Sequence, residues 1–167
     1  MLKLTDLLDH KLFSSSGGTS FEAWKESHQP FHWIAEYYQI IQGNGGFDVI
    51  IGNPPYVEYN KKDKVTGKSV SDIYKLNNYA TLECGDLYAF CVERSVLNLL
   101  KKHGKIGMIV PISISSTDGY KSLRTLLDKN LPGIYMSNFG VRPAKLFDGV
   151  DKRLTIIISS NDKKYYS

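Results

Sequence analysis

Phe47-Asp48-Val49-Ile50-Ile51-Gly52-Asn53-Pro54-Pro55-Tyr56 joins a short apolar run to an Asn-Pro-Pro-aromatic turn. Gly43-Asn44-Gly45-Gly46 bounds the run upstream and the prolines bound it downstream. That is the pattern of a buried strand, with Asp48 as the exception. The turn after it carries groups that can grip a planar amine. Asn53 offers a side-chain carbonyl, and Pro54 and Pro55 fix the backbone so that a main-chain carbonyl points in a set direction. Tyr56 offers a flat face for stacking. The amino nitrogen of a ring such as adenine is a poor nucleophile, because its lone pair is shared with the ring. Two acceptors, the Asn53 side chain and the Pro54 main chain, can hold both of its protons. The nitrogen can then pyramidalise and aim its lone pair at a methyl group, a gain from positioning and preorganised dipoles and not from a strong base. Taken alone, the four residues also suit an ordinary turn after a strand.

Downstream, Leu87, Phe90, Cys91, Arg94, Leu97 and Leu100 follow helical spacing, predicting a helix from Leu87 to Lys102 that His103-Gly104 ends. Lys105 to Pro111 reads as a second buried strand, and Ser116-Thr117-Asp118 can cap a helix over 119–129. Ile134 to Phe139 and Leu154 to Ser159 read as further strands. This alternation predicts an α/β sheet with parallel neighbours. Gly140 to Arg153 has little helical signal, which predicts that the last two strands form an antiparallel edge hairpin.

Upstream, Leu2, Leu4, Leu7, Leu8 and Leu12 form a helical stripe that Ser14-Ser15-Ser16-Gly17-Gly18 breaks. Phe21-Glu22-Ala23-Trp24 begins a second short helix that Pro30 ends, and Phe31-His32-Trp33-Ile34 looks extended. Residues 1–30 are thus expected to be a helical and linker segment, with the main body in 31–167. Residues 57–83 are polar and carry Lys61, Lys62, Lys64 and Lys68. A connection this long is either functional or a solvated excursion, and both readings stand.

The 167 residues suffice for one domain with a real core. The 42% hydrophobic and 23% charged content fits a globular chain, and a net charge of +4 is compatible with a nucleic-acid partner. Cys84 and Cys91 lack CxxC spacing and a nearby His cluster, so a reduced pair of buried thiols is expected and no metal site. The start lacks a signal-peptide pattern and no stretch has the length of a membrane span, so a cytoplasmic location is expected.

Phe47 to Val57 resembles motif IV of the gamma-class, TaqI-like adenine-N6 DNA methyltransferases, above all the fused enzymes of type IIG restriction–modification systems. Asp86-Leu87-Tyr88-Ala89-Phe90, with its helix and the following strand, is similar to motif V. Lys145-Leu146-Phe147-Asp148-Gly149-Val150, followed by Arg153-Leu154-Thr155-Ile156, resembles motif VIII. The resemblance spans roughly residues 31–160. It implies a Rossmann-like methyltransferase sheet, S-adenosylmethionine as donor, and double-stranded DNA as partner, with the target adenine flipped out of the duplex to reach the site. It implies base contact by Asn53, Pro54, Pro55 and Tyr56, and stacking by Tyr56 and Phe147. Asp86 and Tyr88 would border the methionine end of the cofactor. Phe147 also reads as a core aromatic, and Asp86 as a helix-start residue.

The resemblance also has a gap. The family's Gly-rich cofactor turn and the acidic residue after its second strand should precede residue 47, and nothing in residues 1–46 fits. The chain is therefore expected to be the C-terminal part of a catalytic domain, lacking the cofactor-binding first half. Alone it would be inactive and bind the donor weakly or not at all. A sheet edge left exposed in this way could pair with a second copy. The competing functions are a non-catalytic DNA-binding or interaction remnant, and methylation of protein glutamine or RNA by an Asn-Pro-Pro-Tyr site.

Overall fold

The computed structural model describes residues 4–141, 145–149 and 151–160. Leu2 and Val150, both used above, lie outside the described residues. The helices are α1 (Leu4–Ser16), α2 (Phe21–His28), α3 (Trp33–Glu36), α4 (Val70–Ile73), α5 (Leu87–Arg94), α6 (Ser113–Ser116) and α7 (Lys121–Asn130). The strands are β1 (Phe47–Gly52), β2 (Leu100–Pro111), β3 (Gly133–Phe139) and β4 (Leu154–Ser160).

The four strands form one sheet in the order β1-β2-β4-β3. β1 and β2 pair parallel, while β4 is antiparallel to both β2 and β3. β1, β2 and β3 therefore run in one direction, and β4 is inserted against it. The expected antiparallel pair of β3 and β4 is present, with β3 at the edge and β4 inside the sheet. That placement is not visible in the sequence, because a hairpin pattern does not say which of its strands meets the older sheet.

One face of the sheet holds the core. Ile106, Met108 and Val110 alternate inward along β2 and pack with Ala89, Phe90 and Val92 of α5 and with Leu123, Leu126 and Leu127 of α7. The opposite face is open. Ile51, Gly107, Ile158 and Tyr135 are successive cross-strand partners, so they share a face, and Ile51 and Ile158 are 82% and 50% exposed. The expectation of a buried β1 is thereby corrected. Among the described residues β1 pairs on one side only, and nothing covers this face. Asp48, the misfit of the apolar run, forms an ion pair with Lys101 of β2.

The helix expected over Leu87 to Lys102 is shorter. α5 ends at Arg94, a π-helical turn spans Ser95–Leu99, and β2 begins at Leu100. The start of β2 bulges, since Phe47 faces Leu100 but Val49 faces Lys105, and His103 takes a left-handed φ of 67°. The bulge lets apolar residues of helical spacing finish as strand. Gly46 seats β1 against it: a Cβ there would lie 2.5 Å from the Leu99 carbonyl oxygen. Trp33 and Ile34, expected to be extended, lie in the helical turn Trp33–Glu36, which brings Trp33 onto Tyr37 and both onto Phe47.

α1 and α2 are joined through Asp9, which is buried. Its carboxylate accepts from Lys25 Nζ at 2.8 Å and from His32 Nε2 at 2.7 Å. The connection over 57–83 is ordered. Tyr59 is buried and its hydroxyl donates to the Tyr74 carbonyl and accepts from the Leu76 amide, each at 2.8 Å. Ser69 and Asp72 form a reciprocal cap on α4. Among the described residues no helix is long and apolar enough to cross a membrane.

Candidate active site

Asn53 to Tyr56 leave the carboxyl end of β1, where open α/β sheets bind ligands. The β1–β2 pairing stops at Gly52 and Met108. Tyr56 then reaches the next residue of β2, its hydroxyl lying 2.9 Å from the Ile109 carbonyl oxygen and 2.5 Å from Asn53 Oδ1. The single Tyr56 hydroxyl proton is shared between these two acceptors, which keeps the ring at the strand ends and the Asn53 side chain beside it. Desolvation raises the Tyr56 pKa above the ordinary phenol value, so the hydroxyl stays a donor. Pro54 is buried, whereas Asn53 and Pro55 are exposed. All three line an apolar cleft of about 580 Å³ that runs beside β1 with Ile50, Leu76, Tyr79, Leu87 and Phe90.

Asp86 and Tyr88 come to the same end through the bonds of Leu87 to Val57 and of Tyr59 to Gly85, and through the isolated bridge between Glu58 and Asp86. Asp86 occupies the N-cap position of α5 but makes no side-chain cap bond. Instead it accepts from the Tyr120 hydroxyl. Burial, and then this bond to Asp86, raise the Tyr120 pKa. Tyr88 is fully buried, stacks on Tyr120 and meets Tyr56 edge-on. Its hydroxyl lies 3.1 Å from Ser113 Oγ. Desolvation raises its pKa far above the phenol range. Asp86 and Tyr120 line a second cleft, of about 530 Å³, with Glu58, Asn60, Lys61, Cys84 and Gly85.

Phe147 is 40% exposed, and no ring contact joins it to Tyr56 among the described residues. Lys152 does reach the site, its ammonium lying over the Tyr56 ring, 5.5 Å from the centroid. Asn53 and Tyr56 are therefore brought together, with Asp86 and Tyr88 beside them, and Phe147 stays apart.

Sequence reading missed three participants, Tyr120, Ser113 and Lys152, which act through neighbours distant in the chain, so no local signal marks them. It also missed a structural carboxylate, Glu93. Glu93 is a buried carboxylate that accepts from the Ala80 amide, the Thr81 amide and the Thr81 hydroxyl at 2.7–3.0 Å. A charged residue on the apolar face of a predicted helix was the available sign. Cys84 and Cys91 are free thiols whose pKa values burial raises.

The family model for the Eco57I restriction-modification methylases matches residues 3–140. The chain belongs to this family. It is 38% identical over 87 residues to the type II restriction enzyme and methyltransferase RM.Eco57I of Escherichia coli, covering 52% of this chain and 8% of that protein. Over 99 residues it is 36% identical to a putative type II restriction enzyme and methyltransferase of Methanocaldococcus jannaschii, covering 59% of this chain and 8% of that one. Over 110 residues it is 31% identical to the type II methyltransferase M.HincII of Haemophilus influenzae, covering 66% of this chain and 21% of that protein. The matched stretches thus span no more than about a fifth of these relatives. For this methylase family member, the match takes in Asn53 to Tyr56, Asp86 and Tyr120, while Phe147 and Lys152 lie beyond it.

Proposed function

We propose that this chain carries the base-binding part of an adenine-N6 DNA methyltransferase of a restriction–modification system. The observation that supports it best is the pinning of Tyr56 and Asn53 at the carboxyl end of β1. A carbonyl oxygen has two lone pairs, so Asn53 Oδ1 can keep the Tyr56 hydroxyl and still accept one proton of an incoming amine. The Pro54 carbonyl, fixed by its ring and by Pro55, accepts the other. The amine is then held with its lone pair turned out of the ring plane. Tyr56 stacks on the base, and Phe147 closes on the opposite side when the duplex is bound. S-adenosylmethionine would supply the electrophilic methyl group. The Asp86 carboxylate in its cleft suits the cationic amino-acid end of that donor, with Tyr88 and Tyr120 behind it, and the rest of the donor's site is assigned to elements that precede residue 47 in the family's order and that residues 1–46 do not supply. The open face of the sheet and the unpaired side of β1 support reading residues 31–167 as the C-terminal part of a larger sheet.

The same four residues would grip a glutamine amide or an RNA base, and the chain could also persist as a DNA-binding remnant. The lysines of residues 57–83 favour a nucleic acid over a protein substrate. The deciding measurement is transfer of labelled methyl from S-adenosylmethionine by the enzyme that contains this chain, offered unmethylated DNA, RNA and protein in parallel. Label in DNA adenine is expected, and label confined to protein or RNA overturns the DNA reading. Asn53→Ala is expected to lower transfer about 10²- to 10³-fold while leaving DNA affinity largely intact. Loss of folding instead would make Asn53 a structural turn residue.

A further inference from the structure

We propose that the turn over 61–68, Lys61-Lys62-Asp63-Lys64-Val65-Thr66-Gly67-Lys68, is a preformed clamp for the backbone of duplex DNA beside the target base. The proposal rests on the DNA reading above and specifies where the duplex lies.

The turn is tightly closed on itself. Asp63 N donates to the Lys68 carbonyl and Gly67 N to the Asp63 carbonyl, both at 2.9 Å. The Asp63 carboxylate accepts from the amides of Val65 and Thr66 and from the Thr66 hydroxyl at 2.8–3.1 Å. Gly67 takes the left-handed φ of 66° that closes it. These bonds, the Thr66 amide foremost, lower the Asp63 pKa. The one acidic side chain of the turn is therefore spent on folding it.

The charge that remains is positive and points outward. Residues 61–68 are all exposed. Lys61 pairs with Glu58 at 2.8 Å. Among the described residues Lys62, Lys64 and Lys68 have no ion-pair partner. Lys62 acts on Asp72 only at longer range, and Asp72 is already engaged by the Ser69 amide and hydroxyl. Between these lysines stands Val65, 93% exposed. An apolar tip ringed by unpaired cations suits a partner with regularly spaced anions and apolar sugar and base edges between them.

The position agrees. Tyr59 roots the turn, with its ring in the core, its amide on the Gly85 carbonyl and its carbonyl accepting from the Ser71 amide. Glu58, Asn60 and Lys61 line the same cleft as Asp86 and Tyr120. The start of the turn thus borders the Asp86 cleft, which Tyr120 and Tyr88 join to Tyr56. A duplex offering a flipped base there would run past Lys62, Lys64 and Lys68, and a turn already ordered would lose little entropy on contact.

The test is fluorescence anisotropy of a labelled mixed-sequence duplex with the enzyme that contains this chain, from about 50 to 200 mM KCl. Each phosphate contact adds about 0.9 to the slope of log affinity against log salt. The triple variant K62A/K64A/K68A is expected to reduce the slope by about 2 to 3. The charge-matched variant K11A/K121A/K129A, altered elsewhere on the surface, should leave it near wild type. An unchanged slope in the first variant, or an equal fall in the second, overturns the proposal. Val65→Ser is expected to weaken binding about threefold with the slope unchanged, and wild-type affinity in that variant removes Val65 from the contact. If the wild-type enzyme binds no duplex, the clamp is wrong. The methylation reading then stands or falls separately on the labelled-methyl assay.

Discussion

Tyr56 does two jobs, and a substitution can separate them. Its ring is the surface proposed to stack on the base, and its hydroxyl links Asn53 to the Ile109 carbonyl. Tyr56→Phe keeps the first and removes the second. It is expected to lower stability by about 1 kcal/mol, the usual net worth of such a bond. In the enzyme it should reduce kcat for methyl transfer about tenfold with little change in KM for DNA, because Asn53 loses its orientation while stacking persists. Tyr56→Ala should raise KM as well, since base–aromatic stacking contributes about 1–3 kcal/mol. Steady-state kinetics on both variants measure the split, and an unaltered kcat in Tyr56→Phe would leave the hydroxyl no role in catalysis. Lys152 lies over one face of the same ring, so a base stacking on that face must displace it, at a cost of about 0.5–1 kcal/mol for an exposed cation–π contact.

Among the elements, the α1–α2 pair depends on one buried carboxylate. Burial alone would raise the Asp9 pKa, but the bonds from Lys25 and His32 outweigh it and lower the pKa below the ordinary value. A depressed folded value means the stabilisation is complete above the unfolded carboxylate pKa of about 3.9 and is lost as pH falls through the folded one. Lys25 is shifted the opposite way, raised by its bonds to Asp9 and then Asp6. Its contribution is complete below the unfolded lysine value and is lost as pH rises through the folded one, above about 10.4. The pair should therefore stay docked from mildly acidic to mildly alkaline pH and loosen outside that window. Asp9→Asn is expected to destabilise it by about 1–3 kcal/mol at neutral pH, because buried bonds to a charged group are lost. Amide hydrogen exchange in α1 and α2 reads this directly. Protection equal to wild type at pH 7 would rule out Asp9 as the anchor.

For the whole molecule, the decisive feature is a sheet covered on one face and paired on one side of β1. A doubly wound sheet normally carries helices on both faces. Here Val49, Ile51, Ile158 and Tyr135 remain in solvent, and the cleft along β1 is apolar. An open edge with an apolar face is a template for pairing. The isolated chain is expected to self-associate through β1, and Ile51→Lys should shift it toward monomer with little loss of stability, since that side chain is already exposed. Sedimentation velocity across a concentration series measures this. A chain monomeric at all concentrations, or an Ile51→Lys variant that associates as strongly, would place the contact elsewhere.

The local elements were legible in sequence because they are local. The strand before Asn53, the turn itself, the helix beginning at Leu87 and the β3–β4 pair all follow from periodicity and turn residues within a few positions. The family likeness came from the same short stretches. What only the tertiary structure decided were relations between distant residues. Backbone pairing at long range placed β4 between β2 and β3, and a bulge at Leu100 to Lys105 turned helical spacing into strand. A hydroxyl reaching from residue 56 to 109 oriented Asn53, and Asp86 met Tyr120 instead of capping its helix. Periodicity reports which residues prefer to be covered. It does not report what covers them, which is why β1 reads as buried and stands exposed.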